Sequence, residues 1–174
     1  GRPHYLLIQW IIGYEQGTPG VEGGDNPSVR FAGLTSQPQP DVLLRIPVAV
    51  GGRSGVDEDG YLVGPPELVA EVSASSVDYD LGVKRELYRQ AGVREYVVWR
   101  TDDAAIDWFV LRDGQYDRLT PGADGVMRSE VFPGLWLDPA ALLRGDMPAV
   151  LATVHAGLAS AEHVAFLARL GGAL

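Results

Sequence analysis

Apolar positions along this chain recur with two different periods, and each period predicts its own kind of element. Within residues 4–16 (HYLLIQWIIGYEQ), Leu7, Trp10, Ile11 and Tyr14 are spaced by three and four, which predicts a helix with one apolar face. Gly17-Thr18-Pro19-Gly20 ends that helix, as glycine and proline do after a last periodic residue. Residues 20–27 (GVEGGDNP) are polar and glycine-rich and read as a loop. Ser28–Ala32 and Asp41–Val48 (DVLLRIPV) read as short strands separated by the turn-rich Ser36–Pro40, and residues 51–64 (GGRSGVDEDGYLVG) as a second loop. Glu67–Ser73 is a predicted strand and Asp78–Ala91 a predicted helix, which Gly92 breaks before a strand over Glu95–Trp99.

Further along, residues 105–112 (AIDWFVLR) and 115–120 (QYDRLT) flank Asp113-Gly114, a strong two-residue hairpin signal. Another hairpin is expected over Gly125–Val131, then a turn at Phe132-Pro133-Gly134 and a short helix over Pro139–Leu143. From Pro148 onward, Val150, Leu151, Val154 and Leu158, then Val164, Leu167 and Leu170, predict two amphipathic helices with Ser160 as the N-cap between them. This order of elements predicts an α/β layer over residues 1–145, with a helical extension over 146–174 packed on the same domain or at a dimer interface.

At 174 residues the chain is one domain's worth, with the 46% hydrophobic and 21% charged composition of a soluble globular protein. No apolar run approaches the roughly 20 residues of a membrane span, and the N-terminus lacks a signal-peptide pattern, so a cytoplasmic location is expected. The absence of cysteine removes disulfides, thiolate metal sites and cysteine nucleophiles together. A net charge of −9 argues against a broad nucleic-acid-binding surface, because counterion release from phosphates needs lysine and arginine. It leaves room for a locally basic groove on an acidic protein.

The stretch Pro65–Trp99 carries the chemistry. Positions 77, 81, 84, 88 and 91 share one helix face and read Val, Leu, Lys, Tyr, Ala, so Lys84 projects from the apolar side. A lysine there either snorkels past the edge or meets a carboxylate. Alternation along the preceding strand puts Leu68, Ala70 and Val72 on one side and Glu67, Val69, Glu71 and Ser73 on the other, so Glu71 is a candidate partner. A Glu71–Lys84 ion pair alone would be ordinary structure. Asp41, which opens a separate strand after Pro40, adds a second carboxylate. Two carboxylates and an ammonium suit Mg²⁺ together with a substrate phosphate.

Other candidates have plainer readings. His4, His155 and His163 share no zinc spacing and read as surface or packing residues. Asp78 and Asp80 read as helix-start residues that complement the dipole, and Asp80 also stands four before Lys84, where it can hold the ammonium. Ser73, Ser75 and Ser76 read as loop caps, without a nucleophile-elbow pattern. Arg85, Arg89 and Arg94 read as solvated.

Pro40-Asp41, then Pro66-Glu67-Leu68-Val69-Ala70-Glu71-Val72 with Ala74-Ser75 beyond it, then Asp80, Lys84, Tyr88, Gly92-Val93 and Glu95-Tyr96 resemble the Uma family (Uma-two) of predicted restriction endonucleases, within the PD-(D/E)XK nuclease superfamily. The resemblance runs from about His4 to Leu143. It implies a restriction-endonuclease-like core, a mixed central sheet flanked by helices, carrying appended β-hairpins and a C-terminal helical hairpin. It also implies cleavage of DNA with Mg²⁺, or Mn²⁺ as a substitute. The catalytic set would be Asp41, Glu71 and Lys84, with Asp41 and Glu71 as metal ligands and Asp80, Ser73 and His4 in support; a homodimer is a further expectation. Two positions depart from the pattern. The superfamily's lysine, two residues after the acid, is replaced by Ser73, and the lysine is moved to the following helix at Lys84. Val97 and Arg100 stand where relatives usually have Trp and Asp. The rival reading is an inactive nuclease-fold domain kept for binding or assembly, which the acidic composition favours.

Overall fold

The computed structural model of the protein describes residues 1–173. Helix α1 (Arg2–Gln16) leads into strands β1 (Glu22–Asp25), β2 (Val29–Arg30) and β3 (Val42–Arg45). Two short strands follow, β4 (Gly55–Val56) and β5 (Leu62–Val63), then β6 (Leu68–Ser73), helices α2 (Val77–Leu81) and α3 (Val83–Ala91), and β7 (Glu95–Arg100). The hairpin β8 (Ala105–Arg112) and β9 (Gln115–Arg118) comes next, then β10 (Met127–Arg128), β11 (Trp136–Leu137), α4 (Pro139–Leu143), α5 (Met147–Leu158) and α6 (Ala161–Ala173).

The central sheet has six strands in the order β1-β3-β6-β7-β8-β9. Only β6 and β7 are parallel, joined by the α2–α3 crossover; every other neighbouring pair is antiparallel. Both faces of the inner strands β3, β6, β7 and β8 are covered, so these strands are largely apolar on both sides, while the edge strands β1 and β9 are polar. Leu68, Ala70, Val97, Trp99, Trp108 and Val110 point into a core shared with α1, α4, α5 and α6. Val69, Tyr96, Val98 and Phe109 point the other way, against Tyr88 of α3 and against Val29 and Leu62 of the small β2-β5-β4 sheet. Trp10 meets Trp108 edge-on with ring centres 5.6 Å apart, and each such fully buried large side chain stabilises the fold by about 1.5–3 kcal/mol. This is the mixed α/β architecture expected from the sequence.

Four local expectations change. The glycine-rich residues 20–27 contain β1, an edge strand registered against β3 from Glu22↔Arg45 to Asp25↔Val42. Its glycines mask it as a loop; Gly23 donates its N–H at 2.7 Å to the Glu15 carboxylate of α1, and a Cβ there would push that carboxylate aside. The loop at 51–64 likewise contains β4 and β5. The helix expected over 78–91 is broken at Gly82 (φ −109°, ψ −97°) into α2 and α3. The hairpin expected within 125–131 does not close on itself, because β10 pairs with β11 beyond the Phe132-Pro133-Gly134 turn. By contrast, Asp113 and Gly114 both have positive φ (49° and 76°), as a tight β8–β9 turn requires. Ser160 also accepts the His163 N–H at 3.3 Å, as an N-cap does.

Candidate active site

Pro40 is buried and delivers the chain into β3 at Asp41. Because β3 runs antiparallel to β6 with Val42 opposite Ala70, the next step along places Asp41 beside Glu71. Asp41 has the parity of Leu43 and Glu71 that of Val69, so both carboxylates stand on the sheet face that α3 covers. The two residues interlock. The Val72 N–H donates to Asp41 Oδ2 at 2.7 Å, and the Asp41 N–H donates to Glu71 Oε2 at 3.3 Å. The Asp41 side chain thus serves as a partner for β6 beyond the last backbone pair.

Lys84 reaches this pair from the first turn of α3. Its Nζ lies 2.8 Å from Glu71 Oε1 and 3.7 Å from Asp80 Oδ1. The hydroxyl of Tyr88, one turn further along α3, donates to the same Glu71 oxygen at 3.0 Å. Asp80, in the first turn of α2, is turned inward and buried, accepts from Ser76 Oγ at 2.6 Å and braces the ammonium. Ser73 is fully buried on β6, and its Oγ lies 3.4 Å from Ser76 Oγ; it joins the cluster through Ser76 and Asp80, not through the carboxylate pair. His4 comes from α1, with Nδ1 3.6 Å from Asp41 Oδ1 and Nε2 2.8 Å from Asp25 Oδ1. Asp41, Glu71, Lys84, Asp80 and His4 therefore converge, and Ser73 sits one step behind them.

Burial decides the electrostatics. Removing the Glu71 carboxylate from water pushes its pKa up to about 7, against the pull of Lys84 and with a smaller push from Asp41. Burial also works against the Lys84 ammonium, but Glu71, Asp80 and Asp41 outweigh it and hold the Lys84 pKa above its ordinary value. Lys84 is therefore a cation near neutral pH. Tyr88 is raised by burial and by the adjacent Glu71, so its hydroxyl stays protonated and donating.

Among the described residues no group of three or more His, Asp or Glu is arranged to hold an ion. The available donor set is the two carboxylates. Asp41 Oδ1 and Glu71 Oε2 are their loosest oxygens, with contacts of 3.6 Å and 3.3 Å. Two hard carboxylate oxygens, one on the partly exposed Asp41 and one on the buried Glu71, fit an ion such as Mg²⁺, which takes one or two carboxylates and keeps several waters.

Tyr88 was visible in the sequence as part of the apolar helix face, but its hydrogen bond to Glu71 was not. Nothing in the glycine-rich segment signals Asp25 as a partner of His4, and nothing in the Ser-rich loop signals Ser76 as the donor to Asp80. Other named residues lie elsewhere. Arg100 pairs with Asp107 at 2.7 Å and Asp103 at 2.8 Å and does not touch the carboxylate pair. Arg89 pairs with Glu86, and Arg85 lies over the Phe109 ring at 5.0 Å. His163 is buried against Thr18 at 2.9 Å, a packing role, and His155 is exposed.

The fold and site thus define a mixed α/β protein with two carboxylates at one strand end and an inward lysine over them. The chain belongs to the Uma2 family, described as "Putative restriction endonuclease", whose model matches residues 1–140. Its fold is similar to a crystal structure of a protein from Anabaena variabilis described as a putative nuclease of the family DUF820, with a TM-score of 0.53 at 12% identity over 82% of each chain. Among proteins with curated descriptions, none matches the chain.

Proposed function

We propose that the protein hydrolyses phosphodiester bonds in DNA, using a divalent cation held by Asp41 and Glu71, with Mg²⁺ as the natural ion and Mn²⁺ as a substitute. The observation that carries this reading is the inward Lys84, whose ammonium sits 2.8 Å from Glu71 on the sheet face shared with Asp41. A structural ion pair needs one carboxylate, and here Asp80, Glu71 and Asp41 all act on the ammonium. The ion would polarise the scissile phosphate and make a bound water more acidic. Asp41, with a side chain about a quarter exposed, presents the accessible oxygen, while the nearly buried Glu71 provides the inner one. Lys84, cationic at neutral pH, is suited to stabilise negative charge on the phosphoryl oxygens and not to abstract a proton. Tyr88 and Asp80 hold Glu71 and Lys84 in place from behind. Membership of a restriction-endonuclease family supports the substrate class.

The test is cleavage of supercoiled, linear and single-stranded DNA, and of RNA, with Mg²⁺ or Mn²⁺. Lys84→Ala is expected to lower the rate by about 10²–10³-fold, the usual loss for one preorganised charge-stabilising group. Asp41→Ala is expected to weaken cation binding in calorimetry. If every nucleic acid stays intact and Asp41→Ala leaves cation affinity unchanged, the domain is instead a non-catalytic binding module.

A further inference from the structure

Lys84 faces two ways. Its ammonium meets Glu71, and its other flank lines a groove of about 360 Å³ that opens between α2 and the segment joining β2 to β3. Gln37 and Gln39 form one wall, and Tyr79 and Leu87 form the other. The groove continues past Ser36 and Tyr79 into a second hollow of about 450 Å³ beside Val83 and Glu86. Its size falls within the roughly 300–1,000 Å³ typical of small-ligand pockets. Tyr79, 53% exposed, presents its ring where the two hollows meet. The segment joining β2 to β3 is positioned: the Pro38 carbonyl accepts the Val29 N–H at 3.1 Å, and the buried Pro40 anchors its end at the carboxylates.

The lining selects the occupant. Lys84 is the one cation among the described lining residues of the two hollows, Glu86 stands at the far end, and the whole chain carries a net charge of −9. One cation is enough for a single phosphate and not for tracking a run of them along either a duplex or a single strand, so recognition here has to come from the base. The groove can take a base. An exposed tyrosine offers a stacking face, and amide side chains offer a donor and an acceptor to a base edge left free of pairing. We infer that the groove receives an unpaired nucleotide next to the scissile phosphate, with Tyr79 stacking on its base and Gln37 and Gln39 contacting its edge, so that the substrate is single-stranded or locally unpaired nucleic acid. The inference rests on the nuclease reading and specifies its substrate.

The test is fluorescence anisotropy with labelled single-stranded and blunt duplex oligonucleotides of the same sequence, in Ca²⁺ to suppress cleavage. The full chain is expected to prefer the single strand. Tyr79→Ala is expected to weaken that binding by about tenfold or more, while Tyr79→Phe, which keeps the ring, retains it. Equal affinity for duplex and single strand, no binding to either, or no effect of Tyr79→Ala would overturn the inference. So would a Tyr79→Ala variant whose only change is in sedimentation, which would assign the exposed stripe to a second copy of the chain. The two readings fail separately. Tyr79-dependent binding without cleavage under any metal removes the nuclease and keeps the groove; Lys84-dependent cleavage of duplex that ignores Tyr79 does the reverse.

Discussion

Tyr88 and Lys84 share one oxygen of Glu71, and this explains how a carboxylate survives almost fully buried. A carboxyl whose pKa is raised from 4.5 to about 7 still carries its proton in mild acid, and an incoming cation must displace it. Affinity for Mg²⁺ is therefore expected to rise about tenfold per pH unit up to pH 7 and then level off, as read by calorimetric titration at several pH values. The sign for folding is the opposite. The folded state holds this proton more tightly than the unfolded chain, so the contribution of Glu71 to ion-free stability is complete below pH 4.5 and is lost as pH rises towards 7. Tyr88→Phe removes a donor to the charged form. It should move the midpoint of the metal-binding profile to higher pH and cost about 1–1.5 kcal/mol in urea denaturation. An unmoved midpoint would show that the hydroxyl only packs. The sequence made Tyr88 legible as an inward ring but not as a donor, because the partner of a hydroxyl depends on which strand lies beneath it.

The elements that build the site were legible to different degrees. Strand β6 and the inward face of α3 follow from alternation and helical spacing, and so do Glu71 and Lys84. The edge strand β1 was not legible, because Gly23, Gly24 and Asp25 carry little strand propensity and the strand is held by its pairing with β3. With it went Asp25, the second partner of His4. The break at Gly82 also escaped, since a glycine inside a periodic run does not announce a kink. Glu95 fastens one end of the sheet, a role its place in β7 does not reveal. Its buried carboxylate accepts from Ser129 Oγ at 2.8 Å, the Glu130 N–H at 2.9 Å, the Val131 N–H at 2.7 Å and the Trp108 indole. Glu95→Ala would leave these donors buried without an acceptor. A loss of about 3 kcal/mol or more is expected in chemical denaturation, without a change in the pH midpoint of metal binding.

Across the whole molecule, the family match ends at residue 140, but the main core does not. Val150, Val154, Phe166 and Leu170 belong to the same buried cluster as Trp10 and Tyr14, and Phe132 meets Phe166 edge-on at 6.4 Å. His163 packs on Tyr14 at 5.6 Å. A chain ending at residue 145 would expose this side of α1, from which His4 reaches Asp41. Such a truncated protein is expected to lose cooperative thermal unfolding and to bind a hydrophobic dye, whereas a self-contained residue 1–145 unit would melt sharply. The division after residue 145 drawn from amphipathic spacing reflects a change of element type, and spacing alone does not reveal which neighbour an apolar face will meet.

The reciprocal hold between Asp41 and Glu71 has a consequence for how an ion would be received. Each side chain is fastened by a main-chain amide at or beside the other residue, so the geometry of the pair is set when β3 docks on β6, before any ligand arrives. A pair fixed in this way would lose little conformational entropy on receiving a cation. A cation bound there would add to stability by mass action.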